Sequence, residues 1–121
     1  MNDFYYRKLL VYHKAMALVT TVYKLSSSFP QMEKYALRDQ IQRAVISVPS
    51  NIAEGMGRFS NKERSHFLGI ANGSLMEVMC QLEAAHLLGY ISQQQFDEIE
   101  LSISEITRML FALRNHFEEK Q

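Results

Sequence analysis

The stretch SVPSNIAEGMGR, residues 47–58, decides how the chain folds, because a helical pattern runs into it and it carries a proline, an asparagine, a glutamate and two glycines. Read as a loop, it interrupts the second helix and offers polar groups for binding or catalysis. Read as helix, it places Gln40, Arg43, Ser47, Asn51, Glu54 and Arg58 at steps of three and four. They form a polar stripe beside the apolar stripe of Leu37, Ile41, Ala44, Val48 and Ile52. Pro49 then bends the helix and frees a carbonyl near residue 45, while Ser47, Ser50 and Asn51 supply side-chain groups for exposed backbone. The alternative is a break at Pro49, with Ser47 capping a new short helix. Gly55 and Gly57 end the segment in either case.

Working outward, Leu9, Tyr12, Met16, Val19 and Tyr23 mark an amphipathic first helix over about residues 7–27. Ser26, Ser27, Ser28 and Pro30 stop it, since proline cannot continue the ladder and restricts the residue before it. Ser60 with Glu63 reads as a capping box opening a third helix, which closes at Gly89 before an apolar Tyr90. Ser92 with Gln95 repeats the box, and Ile91 with Phe96 reads as a hydrophobic staple. A fourth helix then carries Phe96, Ile99, Ile103, Ile106, Leu110, Leu113 and Phe117 on one stripe. No segment alternates with period two between hairpin signals, so no sheet is expected. Residues 1–121 therefore read as one all-α domain, an antiparallel up-and-down four-helix bundle.

The third helix has more apolar surface than a lone bundle requires. From Phe67 to Leu88, fourteen of twenty-two residues are apolar or cysteine, spread round the helix, with Glu77 and Glu83 the only carboxylates. Such a helix is buried on every side. Either part of it meets another subunit or it is wedged deeply in its own bundle. Gly69 and Gly73 share one face and would let a neighbouring backbone approach.

Composition excludes several classes. Only two prolines and five glycines interrupt a chain that is 47% hydrophobic, which argues against disorder. The N-terminus has no apolar run long enough for a signal sequence or a membrane span. The single cysteine, Cys80, permits no internal disulfide and fits a cytoplasmic location. Formal net charge is zero, yet residues 1–60 hold eight Lys/Arg against four Asp/Glu and residues 61–121 hold five against nine. This split means either a local basic surface or complementary charges on packed helices.

Chemistry is sparse. Glu63-x-x-His66 and Glu83-x-x-His86 match the Glu-x-x-His of di-metal bundles, but both lie on the third helix, about 30 Å apart at the helical rise. No metal or other cofactor is expected. Cys80, within VMCQLEAA, reads as a buried small residue, and no histidine stands at a readable spacing from Ser47, Ser50 or Ser74. Gly55-Met56-Gly57 lacks the lysine and the preceding strand of a phosphate loop. His13 and His116 read as solvent-exposed. Phe4, Tyr5 and Tyr6 can stack on bases or pack as an arm on the bundle or a neighbour. Neither an enzyme nor a small-molecule substrate is indicated.

The run from Gln40 to Gly55, QIQRAVISVPSNIAEG, closely resembles the signature of a bacterial four-helix-bundle family that includes the 23S rRNA intervening-sequence proteins. The accessory variability protein of diversity-generating retroelements is similar. The match continues through Arg58, Ser60, Glu63, Phe67, Leu68, Ile70, Ala71, Gly73, Ser74, Leu75 and Glu77 to Leu88, Gly89, Tyr90 and Ile91. The resemblance implies a bundle that assembles into a homopentameric ring. The retroelement protein binds a reverse transcriptase and nucleic acid through a basic surface, whereas this chain is neutral overall. Two expectations follow: a homo-oligomeric adaptor for RNA or an RNA-acting protein, or a purely structural oligomer. Candidate nucleic-acid contacts are Arg7, Lys8, Lys14, Lys24, Lys34, Arg38, Arg43 and Arg58. Ser47, Pro49, Asn51, Glu54, Gly69 and Gly73 are the candidates for joining helices or subunits.

Overall fold

The computed structural model describes residues 4–119. They form a short 3-10 segment, Tyr5–Lys8, then helices α1 (Leu10–Ser26), α2 (Leu37–Met56), α3 (Asn61–Leu87) and α4 (Gln93–Glu119). Among the described residues there is no strand.

Side-chain pairings fix the topology. Ser47 meets Ser74 while Gly55 meets Phe67, so α2 and α3 run antiparallel. Asn72 meets Thr107 while Ser65 meets Arg114, so α4 reverses again. Ser26 pairs with Gln42, and Lys14 pairs with Glu105. Each helix thus runs opposite to both neighbours. One end of the bundle carries the N-terminal segment, the α2–α3 turn and the end of α4; we call it the single-turn end. The two-loop end carries the α1–α2 and α3–α4 connections.

The caps show how sequence sets these limits. Gly89 has φ +79°, Tyr90 N–H donates to Ala85 C=O at 2.9 Å, and Gly89 N–H donates to His86 C=O at 3.0 Å. That is a Schellman closure, satisfying carbonyls the helix end leaves free. At the start of α4, Gln95 N–H donates to Ser92 Oγ at 3.1 Å and Ser92 N–H donates to Gln95 Oε1 at 2.8 Å, completing the capping box. At the start of α3 the box is half made. Ser60 Oγ accepts from Glu63 N–H, but the glutamate carboxylate takes the serine hydroxyl instead of the serine N–H.

Helix α2 continues through Pro49, so the break alternative does not occur. Gly55 lies inside the helix and is buried; Gly57 caps it with a right-handed φ of −87°. The core joins Ile41, Val45, Val48 and Ile52 of α2 to Leu68, Leu75, Val78 and Leu82 of α3 and to Ile99, Ile103, Ile106 and Leu110 of α4.

Two expectations are corrected. On α1 the buried residues are Val11, Ala15, Leu18 and Val22, not the stripe of Tyr12, Met16, Val19 and Tyr23. The latter stripe lies one residue round the helix, towards α2, leaving Met16 and Tyr23 exposed. Cys80 is also exposed, because Val78 and Leu82 take the core-facing positions on either side of it.

Candidate functional site

The helix-joining cluster lies at the middle of the α2–α3 seam. The Ser47 and Ser74 hydroxyls are 2.8 Å apart, and Asn51 Nδ2 donates to Ser47 Oγ at 2.9 Å and to the Ser47 carbonyl at 2.8 Å. All three residues are half-buried, so the hydrogen bonds offset desolvation that would otherwise cost stability. Ser74 is the partner that the sequence reading passed over. Its spacing on α3 carried no signal, since only the antiparallel register brings it opposite Ser47. Pro49 is buried beside Tyr12, Met16, Ile46 and Ala53 in an open apolar groove between α1 and α2.

Further along the seam, Glu54 pairs with Arg58 at 2.8 Å, and the Arg58 guanidinium sits 4.6 Å from the centre of the Phe67 ring. A Cβ at Gly55 would stand 2.8 Å from Phe67 Cβ, so glycine permits the close approach of α3. Gly69 and Gly73 separate in role. Gly69 lies under the Arg114 guanidinium of α4, and Gly73 faces open surface.

The basic candidates do not form one face. Arg7, Lys8, Lys14 and Arg58 lie towards the single-turn end, and Lys24, Lys34, Arg38 and Arg43 towards the two-loop end. Three are engaged with carboxylates: Lys14 with Glu105 at 2.5 Å, Arg43 with Asp39 at 3.1 Å, and Arg58 with Glu54. Division of the sequence at residue 60 cuts across this geometry, because α1 to α4 alternate in direction.

Dividing the helices at their midpoints exposes a clearer order. The single-turn half, residues 4–18, 47–74 and 107–119, carries eight Lys/Arg against four Asp/Glu, together with His13, His66 and His116. The two-loop half, residues 19–46 and 75–106, carries four against eight. The bundle is therefore charged end to end. Lys62, Arg64, Arg108 and Arg114 join the basic half, and the sequence reading missed all four because they follow residue 60. Among the described residues Arg7, Lys8, Lys62 and Arg64 form no ion pair. Arg64 instead donates to Asn61 Oδ1 at 2.6 Å, and Arg7 lies 5.0 Å from the centre of the Phe4 ring.

Among the described residues no three His, Cys, Asp or Glu side chains gather where they would hold a metal ion. Tyr90 is the one described group with a shifted titration. Its hydroxyl donates to Glu33 Oε2 at 2.6 Å, and this hydrogen bond, with lesser help from desolvation and the carboxylate's charge, raises its pKa above the ordinary 10.0. That pair ties the α1–α2 connection to the α3–α4 turn. No described helix is long and apolar enough to cross a membrane.

Fold and site together define a small four-helix bundle with a polarised charge distribution. The chain belongs to the 23S rRNA-intervening sequence protein family, whose model matches residues 7–112. It is also similar to a solved protein of unknown function from the S23 ribosomal protein family of Bacteroides thetaiotaomicron. The two share 23% identity with a TM-score of 0.81, over 88% of this chain and 96% of that one. At that identity the likeness shows the fold alone. No curated protein matches the chain significantly.

Proposed function

We propose that the protein is a non-enzymatic homo-oligomeric bundle of the cytoplasm that associates with RNA through its single-turn end. The charge separation along the bundle carries this reading. Phosphate neutralisation by lysine and arginine supplies most sequence-independent affinity for nucleic acid, and a chain with no net charge can provide it only by concentrating cations locally. An RNA-acting protein with an acidic surface is the other partner this end would suit.

The test is binding of a structured RNA as salt is raised, with the wild type and a Lys62→Glu/Arg64→Glu variant. Affinity is expected to fall steeply with salt and to be lost in the variant. Salt-insensitive binding, or none at low ionic strength, rejects the reading.

Assembly draws support from exposed apolar residues. On α3, Ile70 and Met76 are about two-fifths exposed and Leu87 is 86% exposed. The α1–α2 groove adds Met16 and Ile46. Five copies closing a ring would bury such surfaces in heterologous contacts, each using two different patches. The same surfaces favour the second reading, a purely structural oligomer with no RNA. Mass measurement in solution against the 14.0 kDa chain tests the assembly, and the RNA titration separates the two readings.

A further inference from the structure

The two turns that open α3 and α4 are built alike and used differently. In each, a capping serine follows a large apolar residue: Ile91 before Ser92, and Phe59 before Ser60. Ile91 is buried, and Phe96, the fourth residue of α4, packs against the same core, the two positions of a hydrophobic staple. The equivalent position in α3 is Arg64, which lies 5.7 Å from the Phe117 ring instead. Among the described residues Phe59 is left unpacked, at 96% exposed, the highest value among the large apolar side chains described.

We infer that Phe59 is a stacking platform for an unpaired base of single-stranded RNA, with Lys62 and neighbouring cations of the single-turn end holding the backbone. This rests on the RNA reading above and specifies the form of RNA. Exposed aromatic rings among cations are how strand-binding surfaces work, since every base offers a face to stack on while phosphates meet lysine and arginine. Phe59 is flanked by Arg58 and Lys62 in the sequence RFSNK. Phe4 and Tyr5, each about half-exposed, lie at the same end beside Arg7 and Lys8.

A second protein subunit fits this ring poorly. Its neighbours in sequence are Gly57, Arg58, Ser60, Asn61 and Lys62, so burying it in a protein interface would strip water from the unpaired Lys62 and from polar groups to cover one side chain. A stacked base covers the ring and leaves Lys62 to phosphate, while Arg58 stays with Glu54 and Glu63. The exposed apolar residues Ile70 and Met76 of α3 lie in a stretch, residues 66–80, with no lysine or arginine and suit subunit contacts better.

The experiment titrates the full chain with a short fluorescein-labelled oligouridylate and with an RNA duplex. It compares the wild type with Phe59→Ala, Phe59→Leu and Phe59→Tyr, after confirming that melting behaviour and assembled mass are unchanged. Stacking predicts that Phe59→Ala and Phe59→Leu weaken oligouridylate binding about tenfold, that Phe59→Tyr stays near wild type, and that duplex affinity hardly moves. Equal binding by Phe59→Ala, wild-type binding by Phe59→Leu, or an altered assembly mass in Phe59→Ala overturns the inference. If oligouridylate binding survives Phe59→Ala but is lost in Lys62→Glu/Arg64→Glu, the basic end still binds RNA and only the stacking role falls. If the wild type binds no RNA at low salt, both fall.

Discussion

Ser47 of α2 and Ser74 of α3 bring their hydroxyls within 2.8 Å across the helix seam, and Asn51 fixes the pair by donating to the Ser47 hydroxyl and carbonyl. Among the described residues the side-chain hydrogen bonds of Asn51 are both donated by Nδ2. Asn51→Ala should therefore destabilise the fold by about 0.5–1.5 kcal/mol, since the Ser47 hydroxyl keeps Ser74 and only the bonds from Asn51 are lost. Asn51→Asp should cost more at neutral pH, because a carboxylate would face the Ser47 carbonyl. Denaturant melts of the three proteins check the order; an aspartate variant as stable as wild type would dismiss the donor role.

Glu54 is the contrasting case on the same stripe. Its pair with Arg58 is about half-exposed on both sides, and such pairs contribute roughly 0–1 kcal/mol. Glu54→Ala should lower stability by less than Asn51→Ala, and the difference should widen in high salt, since salt screens the ion pair but not the neutral Asn51 contacts. A loss from Glu54→Ala larger than that from Asn51→Ala would point to a subunit contact at Glu54.

The readable parts of this fold were those in which a local signal has one structural meaning. The Ser92–Gln95 box, the Gly89 closure and the α4 stripe each specify their own geometry, and each appears as expected. The α1 stripe failed because two apolar rows lie side by side there. Period alone does not choose between Val11-Ala15-Leu18-Val22 and Tyr12-Met16-Val19-Tyr23, and the smaller row goes inward where α2 and α4 crowd it. The basic half of the bundle was legible only in part, for a different reason. Charge along a chain becomes charge along a bundle only after each helix reverses, so Lys62 and Arg64 join Arg7 and Lys8 although the sequence separates them.

Tyr90 and Glu33 make a pH-dependent tie between the two connections at one end. The tyrosine pKa is raised in the folded state, so its contribution is fully present below the unfolded value near 10.0 and is lost as pH climbs through the higher folded value. Stability of the wild type should decline above about pH 10 as this bond is broken. Tyr90→Phe should be less stable at pH 7 and should decline less on the alkaline side. Thermal melts across that range read both effects; parallel curves for the two proteins would mean that the hydrogen bond contributes nothing.

Gly55 and Gly73 lie on neighbouring helices and predict opposite responses to the same change. An alanine Cβ at Gly55 would come within 2.8 Å of Phe67 Cβ and 3.4 Å of the Arg64 carbonyl, and neither atom is the free end of a flexible chain. Gly55→Ala should push α2 from α3 and cost about 1–3 kcal/mol. At Gly73 nothing lies within 4 Å, so alanine meets no atom of its own subunit and should stabilise the helix by about 0.5–1 kcal/mol through backbone entropy. This makes position 73 a probe of assembly. Gly73→Leu leaves the isolated bundle intact but fills whatever space a neighbouring subunit uses on α3. If that face builds the oligomer, the variant should melt as a folded protein of smaller mass; unchanged mass would place the subunit contact elsewhere.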